Sequence, residues 1–265
     1  MTGESAAAQL VTAPGARSTL ALFISDLHLQ PSHPRTCAAL FEFLHTQAMA
    51  TQQLYLLGDL FEYWAGDDDL DSPFHQTIVS ALRAVADAGV AVFWIAGNRD
   101  FLVGQAFADA CALTLLAEPH VVTIGGNRIA LVHGDAQCTG DTRYMEFRQQ
   151  VRDPAWQAQF LAMPLAQRKA IIAGLREGSR EAHTTKSVEI MDVTPAAVAV
   201  LHDQTDAAII IHGHTHRPDL HVDGARRRYV LPDWELDEAP LRGGWIAITT
   251  DGTITRHSLD GAAVA

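Results

Sequence analysis

Five short clusters of ligand-type residues punctuate the chain. They are Asp26-Leu27-His28, Gly58-Asp59, Gly97-Asn98-Arg99-Asp100, His133-Gly134-Asp135 and His212-Gly213-His214-Thr215-His216. They offer carboxylates, imidazoles and one amide, and no thiolate. Mixed oxygen and nitrogen ligation favours Mn²⁺, Fe²⁺ or Zn²⁺ over an iron–sulfur cluster, and the imidazoles argue against Ca²⁺ or Mg²⁺ alone. The metal-ligand candidates are Asp26, His28, Asp59, Asn98, His133, His214 and His216. Asp26, His28 and His216 suit one ion. Asn98, His133 and His214 suit the other, and the Asp59 carboxylate suits a bridge. Two ions roughly 4 Å apart clamp a phosphoryl group and make a hydroxide available at neutral pH. Singly, each cluster is ordinary: Gly-Asp and a lone Asn are commonest in turns, and a His-rich turn can trap a metal casually. Their succession carries the reading, because each follows an apolar run.

Those runs are the elements that must position the ligands. Strand-like 20–25, 53–57 and 90–95 alternate with helix-like 35–50, 74–88 and 104–115, which predicts a parallel sheet with helices on its faces. Strand-like 121–124 and 129–132 flank Gly125-Gly126-Asn127-Arg128, a hairpin signal. A helix is expected over 194–204 and a strand over 207–211. Short strands over 220–222, 228–231, 245–248 and 253–255 follow, punctuated by Asp-Gly and Gly-Gly pairs. The fold class is α/β, strand-rich at its C-terminal end, with strands that release ligands at one sheet edge.

Residues 141–192 break the rhythm. They have helical composition and lie between two ligand-bearing strands, so the expectation is a helical cap insertion over the site within one domain spanning 19–265. Trp156, Phe160, Leu161, Met163, Leu165, Ile171, Ile172 and Leu175 make this segment apolar. They either line a groove for acyl chains or form the cap's own small core, and both readings stay open.

Composition excludes some classes. The formal net charge is −12, with 31 acidic against 19 basic residues, which speaks against broad nucleic-acid binding. The short run Arg226-Arg227-Arg228 reads as a solvated strand face. Cys37, Cys111 and Cys138 are odd in number and form no C-x-x-C, which suits a reducing compartment. Residues 1–18 lack the cationic start and apolar core of a secretory signal and read as a disordered tail. No apolar run approaches the ~20 residues that span a bilayer. Association with a membrane surface stays open.

The motif series D-x-H, G-D, G-N-x-D, H-G-D and G-H-T-H resembles the calcineurin-like metallophosphoesterase superfamily over most of 20–217. The resemblance implies a four-layer α/β/β/α sandwich and a dinuclear metal centre that hydrolyses phosphate esters or anhydrides. Many members of the superfamily have G-N-H where this chain has Asn98-Arg99. A histidine can protonate a leaving alkoxide, whereas an arginine can only bind phosphate oxygens. Arg99 therefore points toward an anhydride, whose leaving phosphate needs no proton.

Longer strings narrow the resemblance. The segments 23–29, 57–68, 97–102 and 133–141, then Lys186-Ser187-x-x-Ile190-Met191-Asp192-Val193 and 212–218, are similar to the UDP-2,3-diacylglucosamine diphosphatases of lipid A biosynthesis. That family implies two Mn²⁺ ions and cleavage of UDP-2,3-diacylglucosamine into 2,3-diacylglucosamine 1-phosphate and UMP, by hydroxide attack on the α-phosphorus. It further implies a peripheral place on the cytoplasmic face of a bacterial inner membrane. Asn98, Arg99 and His214 would touch the reacting phosphate. Asp141, Ser179, His183 and Lys186 would add substrate contacts, although the family commonly has Asn where His183 stands. Two other readings compete: a soluble nucleotide or UDP-sugar phosphoesterase of the same superfamily, and a non-catalytic scaffold on the same fold.

Overall fold

The computed structural model describes residues 18–183 and 192–264, and side chains throughout these except over 176–183. The tail expected over 1–18 lies outside the described residues, Ser18 excepted. Among the described residues twelve strands and seven helices run in chain order: β1 Thr19–Ile24, α1 Pro34–Thr46, β2 Gln53–Leu56, α2 Pro73–Asp87, β3 Ala91–Trp94, α3 Gln105–Cys111, β4 Thr114–Leu115, β5 His120–Ile124, β6 Asn127–Leu131, α4 Thr142–Val151, α5 Pro154–Leu161, α6 Leu165–His183, α7 Pro195–Thr205, β7 Ile209–His212, β8 Leu220–Asp223, β9 Arg226–Val230, β10 Gly244–Thr249, β11 Ile254–Ser258 and β12 Ala263–Val264.

Two sheets result. One has the order β12-β11-β10-β1-β2-β3-β4, the other β5-β6-β7-β9-β8. The strands β1 to β4 pair in parallel, as do β6 with β7 and β7 with β9. Period-two alternation sorts the side chains into layers. Ala21, Phe23, Tyr55, Leu57, Ile129, Leu131, Ile209 and Ile211 fill the space between the sheets. Leu22, Ile24, Leu54 and Leu56 point the other way, into a core with Leu40, Phe43, Ile78, Leu82 and Phe107 of the first three helices. On the far side, Ala130, Val132 and Ile210 pack against Leu201 of α7. The protein is thus a four-layer α/β/β/α sandwich.

Local chemistry explains the element ends. Ser72-Pro73, Asp153-Pro154 and Thr194-Pro195 each set a capping oxygen before a proline that starts a helix, and each cap accepts a backbone N–H. Gly125 and Gly126 both adopt positive φ, as the tight turn between β5 and β6 requires. One expectation is corrected. The helix predicted over 104–115 stops at Cys111, Ala112 turns left-handed, and Thr114–Leu115 become β4, parallel to β3. Edge pairing with β3 outweighs the helical pattern there.

Residues 142–183 form three helices, α4, α5 and α6. Their apolar residues divide. Phe160 is buried, and Trp156, Met163 and Ile172 pack with it on the core beneath the first three helices. Leu161, Ile171 and Leu175 are exposed, as is Phe147. A wholly buried arginine fastens α6: Arg168 donates to the carbonyls of Met163 and Ala65 and to the Asp68 carboxylate, while Lys169 pairs with Asp69 at 2.7 Å. Among the described residues no helix is long and apolar enough to cross a membrane.

Candidate active site

Every ligand cluster leaves the C-terminal end of a strand. Asp26 and His28 follow β1, Asp59 follows β2, Asn98 and Arg99 follow β3, His133 follows β6, and His214 and His216 follow β7. Parallel strands end on the same edge, which is why open α/β sheets bind ligands there. Seven non-glycine residues take positive φ among the described residues, and five of them are Asp26, His28, Asp59, His214 and His216. Such a conformation costs of order 1–2 kcal/mol per residue and persists where the surroundings over-determine it.

Hydrogen bonds do the determining. Asp26 N donates to Gly58 O, and Leu27 N and His28 N both donate to Asp59 O. The buried Asp100 carboxylate gathers four backbone N–H groups: Oδ1 accepts from Gly97 (2.9 Å) and Asp59 (3.2 Å), and Oδ2 from Leu60 (2.8 Å) and Phe61 (3.4 Å). Gly97 must be glycine, because a Cβ there would lie 2.1 Å from Asp59 Oδ1. The same Oδ1 accepts from Arg99 N at 2.8 Å.

The structure brings the seven ligand candidates together. Single ligand atoms of Asp26, His28 and His216 lie within 4.8 Å of one another, as do those of Asp26, Asp59 and His133. Asn98 Oδ1 stands 2.9 Å from His133 Nε2 and 2.8 Å from His214 Nδ1. Asp26 is therefore common to both carboxylate groups, with Asp59 alongside. Two features fit a cation here. Asp26 Oδ1 is buried without a hydrogen-bond partner, and His28 Nε2 faces His216 Nε2 at 3.2 Å.

Electrostatics agree with that fit. Burial pushes the Asp59 carboxyl up to about 7. Burial also opposes charge on His133, but the carboxylates of Asp59, Asp26, Asp135 and Glu118 raise it to about 9. Burial, then repulsion from His133, lowers His214 to about 3. Burial and His216 likewise hold His28 well below its usual value. The chain thus gathers more negative charge than its own cations balance, and bound divalent ions invert such local pKa logic. Ligation requires neutral imidazole, so a metal ion bound through His133 would displace its proton.

The environment also writes the His133 tautomer. His133 Nδ1 donates to Leu57 O at 2.8 Å, which leaves Nε2 as the ligand atom. His28 Nδ1 lies 3.3 Å from Glu62 Oε2, and His216 Nδ1 lies 3.6 Å from Asp233 Oδ2.

Several of these supporting residues escaped the sequence reading. Asp100, Asp135 and Glu62 stood inside or beside the quoted motifs, yet no spacing rule marked them as supports. Tyr144 and Arg148 on α4 gave no signal. Tyr144 Oη donates to Asp135 Oδ2 at 2.7 Å and its ring faces His214, while Arg148 bridges Asp135 and Glu118. These contacts fasten α4 to the His133 loop. Asp141 is buried and caps α4 by accepting from Tyr144 N at 3.0 Å. Ser179 and His183 fall on α6, where side chains lie outside the described residues, as Lys186 does entirely.

Comparison with known proteins bears on this arrangement. The family described as Calcineurin-like phosphoesterase matches residues 20–218. A UDP-2,3-diacylglucosamine hydrolase of Aromatoleum aromaticum is 49% identical over 226 residues, covering 84% of this chain and 92% of that protein. The protein of the same name in Cellvibrio japonicus is 49% identical over 217 residues, covering 80% and 90%. That of Klebsiella pneumoniae is 45% identical over 240 residues, covering 89% and 98%.

Proposed function

The chain belongs to the calcineurin-like phosphoesterase family, and from that premise we infer that it is an enzyme that hydrolyses the diphosphate of UDP-2,3-diacylglucosamine. The products are UMP and 2,3-diacylglucosamine 1-phosphate, a step of lipid A biosynthesis. The observation that carries this reading is near-half identity, along most of both chains, to proteins named for that reaction.

A dinuclear metal site is the family's device. Here Asp26, His28 and His216 would hold one ion and Asn98, His133 and His214 the other, with the Asp59 carboxylate available to both; Mn²⁺ suits this oxygen and nitrogen set. Bound there, the ions supply Lewis-acid polarisation of the phosphoryl oxygens and lower the pKa of water. The remaining work belongs to side chains. The partly exposed Arg99 guanidinium binds equatorial phosphate oxygens as charge builds on them. Asn98, whose Oδ1 faces the two imidazoles, has its amide N–H₂ to offer the substrate. His214 adds a contact to the same phosphate. Asp141, Ser179, His183 and Lys186 extend the substrate contacts. No residue need protonate the leaving group, because a phosphate monoester departs.

Reaction in ¹⁸O-water tests the bond choice. Label is expected in UMP, since attack falls on the α-phosphorus that stays with uridine. Label confined to the lipid phosphate would overturn the assignment.

The acyl chains are taken up by the helices over 142–183, through the exposed Leu161, Ile171 and Leu175. These and Phe147 give the enzyme an apolar face for peripheral attachment to the cytoplasmic side of the inner membrane, where its substrate lies. Leu161→Gln and Ile171→Gln should each raise KM for acylated over non-acylated UDP-glucosamine. The rise is about 10- to 150-fold if the side chain is fully desolvated, roughly 1.5–3 kcal/mol. Phe160→Ala should instead lower stability by about 3–5 kcal/mol, because that ring is core. Unchanged KM in both surface variants would move the lipid elsewhere.

A further inference from the structure

Glu62 follows Asp59 by three residues on the loop that leaves β2, and it is 8% exposed. Its N–H donates to Leu29 O, which fixes the backbone beside His28. The carboxylate reaches two ways. Oε2 lies 3.3 Å from His28 Nδ1, an ion-pair distance without hydrogen-bond geometry, and Oε1 accepts from Arg99 Nη1 at 3.3 Å. His28 Nε2 is already turned to His216 Nε2, so Nδ1 is the nitrogen left to face an acceptor. The carboxylate behind His216 is differently employed: Asp233 holds Arg242 at 2.9 and 2.7 Å, an arginine far along the chain from the ligand loops. Asp59 meets His133 and the Arg99 backbone N–H, whereas Glu62 stands between a candidate ligand imidazole and the Arg99 guanidinium itself.

Resting on the site assignment above, we infer that Glu62 is a positioning residue that couples the metal half of the site to the phosphate half. The charge of one arm, close to Nδ1, favours the His28 proton there and so makes Nε2 a better donor to a cation. The other arm aims the Arg99 guanidinium. Because one carboxylate serves both, the two arms share its charge, and what weakens one changes the other.

Calorimetric titration of the metal-free protein with Mn²⁺ tests this in wild type, Glu62→Gln, Arg99→Met and the double variant. Glu62→Gln should weaken one of two binding events by about 10- to 100-fold. Arg99→Met should tighten binding, by removing a cation and releasing Glu62 to His28. In the Glu62→Gln background that tightening should fall to less than about half, which is the non-additivity of a shared partner. Glu62→Asp, which keeps the charge on a shorter arm, replaces Glu62→Gln in the comparison if the latter does not fold. Affinity unchanged in Glu62→Gln, or effects that simply multiply, would overturn the coupling. His28→Ala serves as the reference. If it loses affinity while Glu62→Gln does not, the inference fails and the site assignment survives; if wild type takes up no Mn²⁺, both fail.

Discussion

Replacing Asp59 by alanine should lower kcat/KM by about a thousandfold or more, the scale of losing a principal electrostatic contact to the reacting group. The carboxylate is buried with a ligand atom within 4.8 Å of those of Asp26 and His133, and its Oδ1 also accepts from Arg99 N at 2.8 Å. On the proposed assignment one side chain serves both the cations and the backbone of Arg99. Alanine fits the left-handed φ of 53° poorly, so Asp59→Asn is the cleaner comparison. Asparagine tolerates that conformation and still accepts from Arg99 N, but it lacks the charge. Metal content by mass spectrometry, measured beside initial rates, separates the effects. Turnover of more than a few per cent at full metal occupancy in either variant would remove Asp59 from its role between the ions.

Asp100→Ala should destabilise the fold by about 4 kcal/mol or more, which urea unfolding would read. Four N–H groups on the two ligand loops converge on that carboxylate, and each buried donor left unpaired costs about 1–3 kcal/mol. Asp100→Asn keeps one oxygen and turns an N–H₂ toward the other pair of donors, so it should lose an intermediate amount. A loss below about 1 kcal/mol in the alanine variant would mean that water satisfies these amides. Their burial makes that the informative result.

The contrast between these two aspartates shows where sequence reading stops. Asp59 was legible because a carboxylate after an apolar run, in series with four similar clusters, has a chemical meaning of its own. Asp100 sat in a quoted motif, yet its role depends on four donors from residues 59–61 and 97 meeting at one point, and only packing sets that meeting. Glu118, Tyr144 and Arg148 are further cases. They come from a loop and a helix separated by the β5–β6 hairpin, and they meet only around Asp135 and the His133 loop. The apolar set at 156–175 looked uniform in sequence, because hydrophobicity does not say which side of a helix faces the core. In the fold Phe160 of α5 joins the main core, while Leu161 of the same helix and Ile171 of α6 stay exposed.

By itself the sequence determined the α/β class, the order of the strands that carry the candidate ligands and the kinds of group they offer, because strand periodicity and side-chain chemistry are local properties. Tertiary structure decided which ligands share a position, which imidazole nitrogen faces the site, which carboxylates stand behind them and which apolar residues stay exposed. Those depend on distances between segments far apart in the chain, and the sandwich sets such distances only when its layers close.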